Sequence, residues 1–214
     1  MFTGIISSKG QVKSLQRKEE LILLTLALEP QERPFSAGES IAVNGVCLTL
    51  TSFTGNTVVF DLSAETINRS TLGQLLPLDW VNTERSLTLG ASLGGHWVLG
   101  HADGVGKVTQ IDRKGGNLFL HFWAPAEVQE YVVFKGSIAV DGVSLTIAEA
   151  KADGFGVTIV PHTAEETTLG SKRVGDRVNL EADIIGKYVK KFLMNKDVER
   201  KEITPEFLKA HGFL

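Results

Sequence analysis

GESIAVNGVCLTL, residues 38–50, returns in the same chain as KGSIAVDGVSLTI, residues 135–147. Both alternate apolar and polar residues about a central Asn-Gly or Asp-Gly pair, the pattern of two half-buried strands joined by a tight hairpin. Ser40 and Ser137 stand 97 positions apart, and the same offset pairs Thr49 with Thr146, Leu72 with Leu169, Asp79 with Asp176, Asn82 with Asn179 and Glu84 with Glu181. Upstream, GIISSKGQV from Gly4 matches GHADGVGKV from Gly100 at an offset of 96, with Gly10 on Gly106 and Val12 on Val108. A repeat this long with no shorter period inside it reads as tandem duplication of a domain, not as a solenoid.

The 214 residues leave room for two domains of about 100 residues each. NTVVFDLS and GFGVTIVP read as further strands, and 22 glycines supply turns between short strands. A small sheet escapes exposed edges by closing on itself, so each copy is expected to form a closed antiparallel barrel. The expected domains are 1–93, 94–186 and a helical oligomerisation tail over 187–214, with ERSLTLGASLGG (84–95) as the joint. Helix is sparse. TAEE at Thr163–Glu166 has the form of a capping box, APAEVQEYVVF offers a second short helix, and IIGKYVKKFL places Ile185, Tyr188, Val189 and Phe192 on one apolar stripe. That stripe either packs on its own barrel or meets copies of itself about a symmetry axis.

A net charge of −3 without a basic run gives no footprint for nucleic acid or an anionic membrane. Cys47 is the only cysteine, which excludes an internal disulfide and fits a reducing compartment. LILLTLAL is too short to span a bilayer and the N-terminus has no leader pattern, so a cytoplasmic chain is expected. No glycine-rich nucleotide loop and no metal-ligand spacing occurs, so neither cofactor nor metal is expected. His96 and His101, five apart in GGHWVLGH, suit local hydrogen bonds beside a glycine-rich turn.

MFTGII, SIAVNGVCLT, GGHWVLGHADGVG, KGSIAVDGVSLT, the PHT of VPHTAEETTLG and GDRVNLEADIIGKYV, in this order on a duplicated frame, resemble the riboflavin synthase family over about residues 1–193. The resemblance implies an all-β chain of two tandem six-stranded antiparallel Greek-key barrels followed by a C-terminal amphipathic helix. It implies a homotrimer and one molecule of 6,7-dimethyl-8-ribityllumazine per barrel, with sites between subunits and lumazine synthase as a further partner. The implied reaction is the dismutation of two lumazines to riboflavin and 5-amino-6-(D-ribitylamino)uracil, without a redox cofactor. Aligning two rings can remove about 7–11 kcal/mol of barrier, more than one acid or base supplies. Two substrate copies account for two domain copies. The same fold also occurs in antenna proteins that bind a lumazine or flavin without converting it, and this is the rival reading. A flavin-reductase barrel would need a flavin motif and a nucleotide-binding partner domain, and neither is present.

By resemblance, substrate contacts fall at Gly4, Ile5 and Ile6, at Cys47, Leu48 and Thr49, and at Asp61, Leu62, Ser63, Ala64, Glu65 and Thr66. Their counterparts are Gly100, His101 and Ala102, then Ser144, Leu145 and Thr146, then Ile159, Val160, Pro161, His162, Thr163 and Ala164. Leu48 and Leu145 are expected as wall. His101, Ser144, His162 and Lys135 replace Ile5, Cys47, Glu65 and Gly38, which assigns the more demanding chemistry to a C-terminal pocket holding both His101 and Ser144. Within that assignment, and by resemblance, His101, Ser144 and Thr146 handle protons and position the ring, Lys135 and Asp183 are polar supports at the inter-subunit site, with Lys135 also in contact with substrate, and Phe2, Ser40 and Cys47 serve the N-terminal side.

Overall fold

The computed structural model describes residues 1–18, 21–30, 33–194 and 205–213. The first barrel is built from β1 (Ser8–Lys18), β2 (Leu21–Leu28), β3 (Ser40–Val43), β4 (Val46–Thr54), β5 (Thr57–Leu62) and β6 (Trp80–Arg85), closed in the order β1-β2-β5-β4-β3-β6. The second repeats that order with β7 (Gly104–Lys114), β8 (Asn117–Trp123), β9 (Ser137–Val140), β10 (Val143–Lys151), β11 (Gly154–Ile159) and β12 (Arg177–Ala182). All pairings are antiparallel. Period-2 burial selects the core face: Leu24, Leu26, Val58, Phe60 and Leu62 fill one barrel, and Leu118, Leu120, Phe122, Val157 and Ile159 fill the other. Register shifts at Val12/Ser14 and Leu50/Ser52 recur at Val108/Gln110 and Ile147/Glu149, bending matched strands so that each small sheet can close.

The two Asx-Gly hairpins meet. Asn44 and Asp141 have φ of 44° and 45°, as a two-residue I′ turn requires. A Cβ added to Gly45 would lie 2.6 Å from the Gly142 nitrogen, and one added to Gly142 would lie 2.8 Å from the Gly45 nitrogen. Around this contact the bonds of Asn82 and Asn179 mirror each other. Asn82 donates its amide to the Asp141 carbonyl (2.9 Å) and Asn179 donates to the Asn44 carbonyl (2.8 Å). Asn82 Oδ1 accepts from the Thr168 N–H and Asn179 Oδ1 from the Thr71 N–H, both at 2.7 Å. The barrels thus face each other about a pseudo-twofold axis, with buried side chains satisfying backbone groups of the opposite copy.

One difference between the hairpins is explained here. Asn44 Oδ1 and Asp141 Oδ1 each accept a backbone N–H, from Asn82 and Asn179. The second Asp141 oxygen, fully buried, lies 2.6 Å from Lys172 Nζ, whereas the position equivalent to Lys172 is Leu75. A carboxylate is matched by an ammonium in one copy and an amide by an apolar neighbour in the other.

Among the described residues the barrels carry the α-helices α1 (Ala64–Arg69), α2 (Ala126–Gln129) and α3 (Pro161–Glu166). The capping-box expectation for TAEE fails. α3 begins at Pro161, with Val160 as N-cap, because proline's fixed φ suits the first helical position; in the other copy Ser63 caps α1 through the Thr66 N–H. The expected joint also changes, since Glu84 and Arg85 belong to β6. Beyond the barrels lie α4 (Ile184–Met194) and α5 (Pro205–Ala210); Ile185, Tyr188, Val189 and Phe192 on α4 are each half or more exposed. Among the described residues no helix is long and apolar enough to cross a membrane.

Lys172→Leu, by stranding the buried Asp141 charge, is expected to cost about 3–5 kcal/mol in a urea unfolding titration. Adding Asp141→Asn should recover most of that loss, because it recreates the neutral Asn44–Leu75 pair.

Candidate active site

The alternation that buries Leu48 and Leu145 turns Cys47, Thr49, Ser144 and Thr146 to the outer faces of β4 and β10. Cys47 and Ser144 are half-buried, Thr49 and Thr146 exposed. Leu48, Leu145, Leu62 and Ile159 are core side chains, so at these positions only the backbone can serve an outer-face ligand.

What covers each outer face comes from the segment preceding the opposite barrel's strand order. The Ser144 N–H donates to the Gly4 carbonyl at 2.7 Å, and the Cys47 N–H donates to the Gly100 carbonyl at 2.8 Å. Ile6 packs against the second barrel's core and Ala102 against the first. Gly4 and Gly100 have φ of 76° and 80°, and a Cβ on either would stand 2.6 Å from the Cβ of Ser144 or Cys47. Only glycine lets the wall lie this close. Phe2 and Val98, equivalent in the two copies, form the antiparallel bridge between these crossing segments; Phe2 is fully buried there with Ala42, Ala139 and Cys47.

This crossing corrects the expected grouping. His101 belongs beside Cys47 on the N-terminal barrel, while Ser144 and Thr146 share their face with Gly4–Ile6. The repeat offset states which positions correspond, whereas these two bonds set each crossing segment on the opposite barrel.

Two carboxylates hold the crossing segments. Glu84 on β6 accepts from the Thr3 N–H (2.7 Å), the Thr3 hydroxyl (2.7 Å) and the Gly4 N–H (2.9 Å). Glu181 on β12 accepts from the N–H groups of Leu99 (2.7 Å), Gly100 (3.0 Å) and His101 (3.0 Å). Burial pushes the Glu84 carboxyl up from its ordinary pKa, against the pull of its bonds to Thr3 and Gly4.

His96, for which a short-range bond was expected, instead reaches far in sequence: its Nδ1 lies 2.7 Å from Ser144 Oγ. The ring is buried, and its Nε2 has no protein partner. Burial holds the imidazole below its ordinary pKa, with the Asp183 carboxylate pulling the other way, so the ring favours its neutral form. Lys135 also departs from its counterpart. It occupies the left-handed region at φ 66° where the first copy has Gly38 at 86°, a strain of about 1–3 kcal/mol for a non-glycine residue. Its backbone N–H is bonded to the Ile147 carbonyl (2.9 Å), and its ammonium lies over the Phe134 ring.

The Lumazine binding domain profile matches this chain twice, over residues 3–86 and 99–183. Riboflavin synthase of Actinobacillus pleuropneumoniae is 40% identical over 215 residues, covering 100% of both chains. The chain belongs to the riboflavin synthase family. Riboflavin synthase of Bacillus subtilis (strain 168) is 38% identical with the same coverage, and that of Mycobacterium tuberculosis (strain H37Rv) is 43% identical over 197 residues, 90% of this chain and 98% of the relative. Among solved structures, LumP complexed with riboflavin covers 85% of this chain and 99% of its own at TM-score 0.77 and 26% identity.

Within this family frame, Asp61, Ser63, Ala64, Glu65, Val160, Pro161 and His162 are exposed around the starts of α1 and α3, with Thr66, Thr163 and Ala164 partly covered. Ser40 lies on β3 opposite Thr49, and its carbonyl accepts from the Ser86 N–H. A cleft of about 540 Å³ at the pseudo-axis, lined by Leu75, Trp80, Lys172 and Arg177, contains none of these residues. That cleft is also lined by polar groups, Asn44, Asp79, Asp176 and Arg177 among them, but it shares no residue with the outer faces of β4 and β10.

Because folding lowers the His96 pKa, the unfolded chain takes up a proton near pH 6.5 that the folded chain refuses. This contribution to stability is full above pH 6.5 and is lost as pH falls from there towards the lower folded value. Glu84, whose folded pKa is raised, acts in the opposite sense at lower pH. Urea midpoints between pH 7.5 and 5.5 should therefore fall less steeply in His96→Gln than in the unsubstituted chain.

Proposed function

We propose that this chain converts two molecules of 6,7-dimethyl-8-ribityllumazine to riboflavin and 5-amino-6-(D-ribitylamino)uracil, one lumazine lying on the outer face of each barrel type. The pairing of a neutral, buried His96 with the Ser144 hydroxyl on the Gly4-lined wall carries this reading. The two substrates contain every atom of the two products: a four-carbon unit leaves one ring and joins the other, with no external oxidant or reductant. One lumazine must lose a proton from its 7-methyl group, and the electron pair is taken up by the ring. His96, accepting the Ser144 hydroxyl proton, makes that oxygen the proton acceptor at the C-terminal barrel. His101, Cys47 and Thr49 position the second ring at the N-terminal barrel. Lys135, kept in a strained backbone conformation, offers its charge to the electron-rich ring system, and Asp183 tunes His96 from nearby.

The four-carbon transfer needs two rings face to face, yet the walls of this single chain are open, with Ile5, Trp97, Phe134 and Val160 half or more exposed. A homotrimer that sets the N-terminal barrel of one subunit against the C-terminal barrel of the next closes them. The exposed stripe of Ile185, Tyr188, Val189 and Phe192 supplies an apolar surface for that assembly. The lone half-buried thiol of Cys47 suits a cytoplasmic setting.

Purified protein given the lumazine alone, with a chelator and no nucleotide, should form one riboflavin per two lumazines consumed. A one-to-one yield or a need for reduced nicotinamide rejects dismutation, and tight lumazine binding without riboflavin supports the rival reading of a non-catalytic binding protein. Ser144→Ala and His96→Gln should lower kcat by about 10²–10⁴ while leaving lumazine affinity within a few-fold. Truncation after Asp183 should convert trimers to folded monomers in light scattering and abolish turnover; active monomers would reject the shared site.

A further inference from the structure

Glu84 and Glu181 are almost wholly buried, and each spends its carboxylate on the backbone of a wall segment. Three consecutive N–H groups converge on Glu181, which fixes the peptide planes of Leu99, Gly100 and His101 together. The Gly100 carbonyl so placed receives the Cys47 N–H. The path begins on a strand of the C-terminal barrel and ends on the N-terminal barrel's outer face. From Glu84 it runs the other way, through Thr3 and Gly4 to the Ser144 N–H.

We infer that Glu181 is the positioning residue for the N-terminal barrel's pocket and Glu84 for the C-terminal barrel's, so that each barrel sets the geometry of the other's substrate wall. The inference rests on the outer faces being the lumazine pockets. A carboxylate is required because it is acceptor-only at both oxygens. Glutamine keeps the shape but must aim an NH₂ at one of the backbone donors, and the segment has to shift. A misplacement of about 1 Å in a site that works by alignment costs about 10² in rate.

Cys47, the single cysteine and half-buried, reports the N-terminal pocket without substrate. Glu181→Gln should change the rate of Cys47 alkylation by iodoacetamide at least about fivefold and weaken its protection by added lumazine, whereas Glu84→Gln should leave that rate within about twofold. Turnover should fall about 10²-fold in both, at unchanged oligomer size. In a chain carrying Cys47→Ser and Ser144→Cys the pattern should invert, with Glu84→Gln altering alkylation and Glu181→Gln not. If Glu181→Gln does not fold, this reciprocal Glu84→Gln arm decides. Equal effects of both substitutions on either thiol, or no effect of either, overturn the inference. An intact asymmetry without lumazine protection in the unsubstituted chain upholds the positioning and rejects the pocket reading instead.

Discussion

A strand that turns its backbone N–H groups away from its own sheet must find acceptors elsewhere or lose the free energy of an unmade hydrogen bond. At the start of β4 and of β10 that need falls on Cys47 and Ser144, and each is met by a carbonyl from a segment that crosses between barrels. The requirement is ordinary, but its solution determines the rest. To bring the Gly4 and Gly100 carbonyls into place the crossing segments must lie against the strands without side chains, be tethered by Glu84 and Glu181, and pass each other through the Phe2–Val98 bridge. The walls over the outer faces of β4 and β10 and the inter-barrel contact are therefore one construction.

Inside that shared frame the copies diverge at a few polar positions. The hairpin substitution of Asp141 for Asn44 carries Lys172 with it and leaves the Oδ1 bond unchanged. Ser144 for Cys47 carries His96, from a stretch with no role of this kind in the first copy. Lys135 for Gly38 keeps the left-handed backbone at an energetic cost and gains a charge. The buried Asp141 could change only together with its partner, because an isolated charge in a packed interior is costly, whereas the exposed Lys135 was free of that constraint.

The alternating pattern around Asn44-Gly45 and Asp141-Gly142 was legible because strand period and turn chemistry are local properties, and the duplication doubled the signal. β2 was harder to orient, since LILLTLAL is apolar on both faces and only packing chooses Leu24 and Leu26 for the core. The placement of the Gly100–Ala102 segment against β4 was not legible at all. A repeat offset states which residues correspond, not which barrel a connecting segment leans on, and that choice was made by two backbone hydrogen bonds that carry no side-chain signature. His96 was missed for a related reason: its partner lies 48 positions away, beyond any local pattern. The start of α3 was misread because a favourable cap sequence competed with a proline already set for the first helical turn.

The pseudo-twofold contact has a consequence for how such a chain could arise. Gly45 meets Gly142, Asn82 bonds towards Asp141 as Asn179 does towards Asn44, and Ala42 and Ala139 share one small cluster. This is the self-complementary geometry of an isologous dimer, written within one polypeptide. A gene for a single barrel would encode a protein able to meet its own copy through these same bonds, and fusion of two such genes would cost no new interface. What fusion adds is permission for the halves to differ: a homodimer must place the same residue on both sides of its axis, whereas the joined chain can keep a thiol on one side and a histidine-bound hydroxyl on the other.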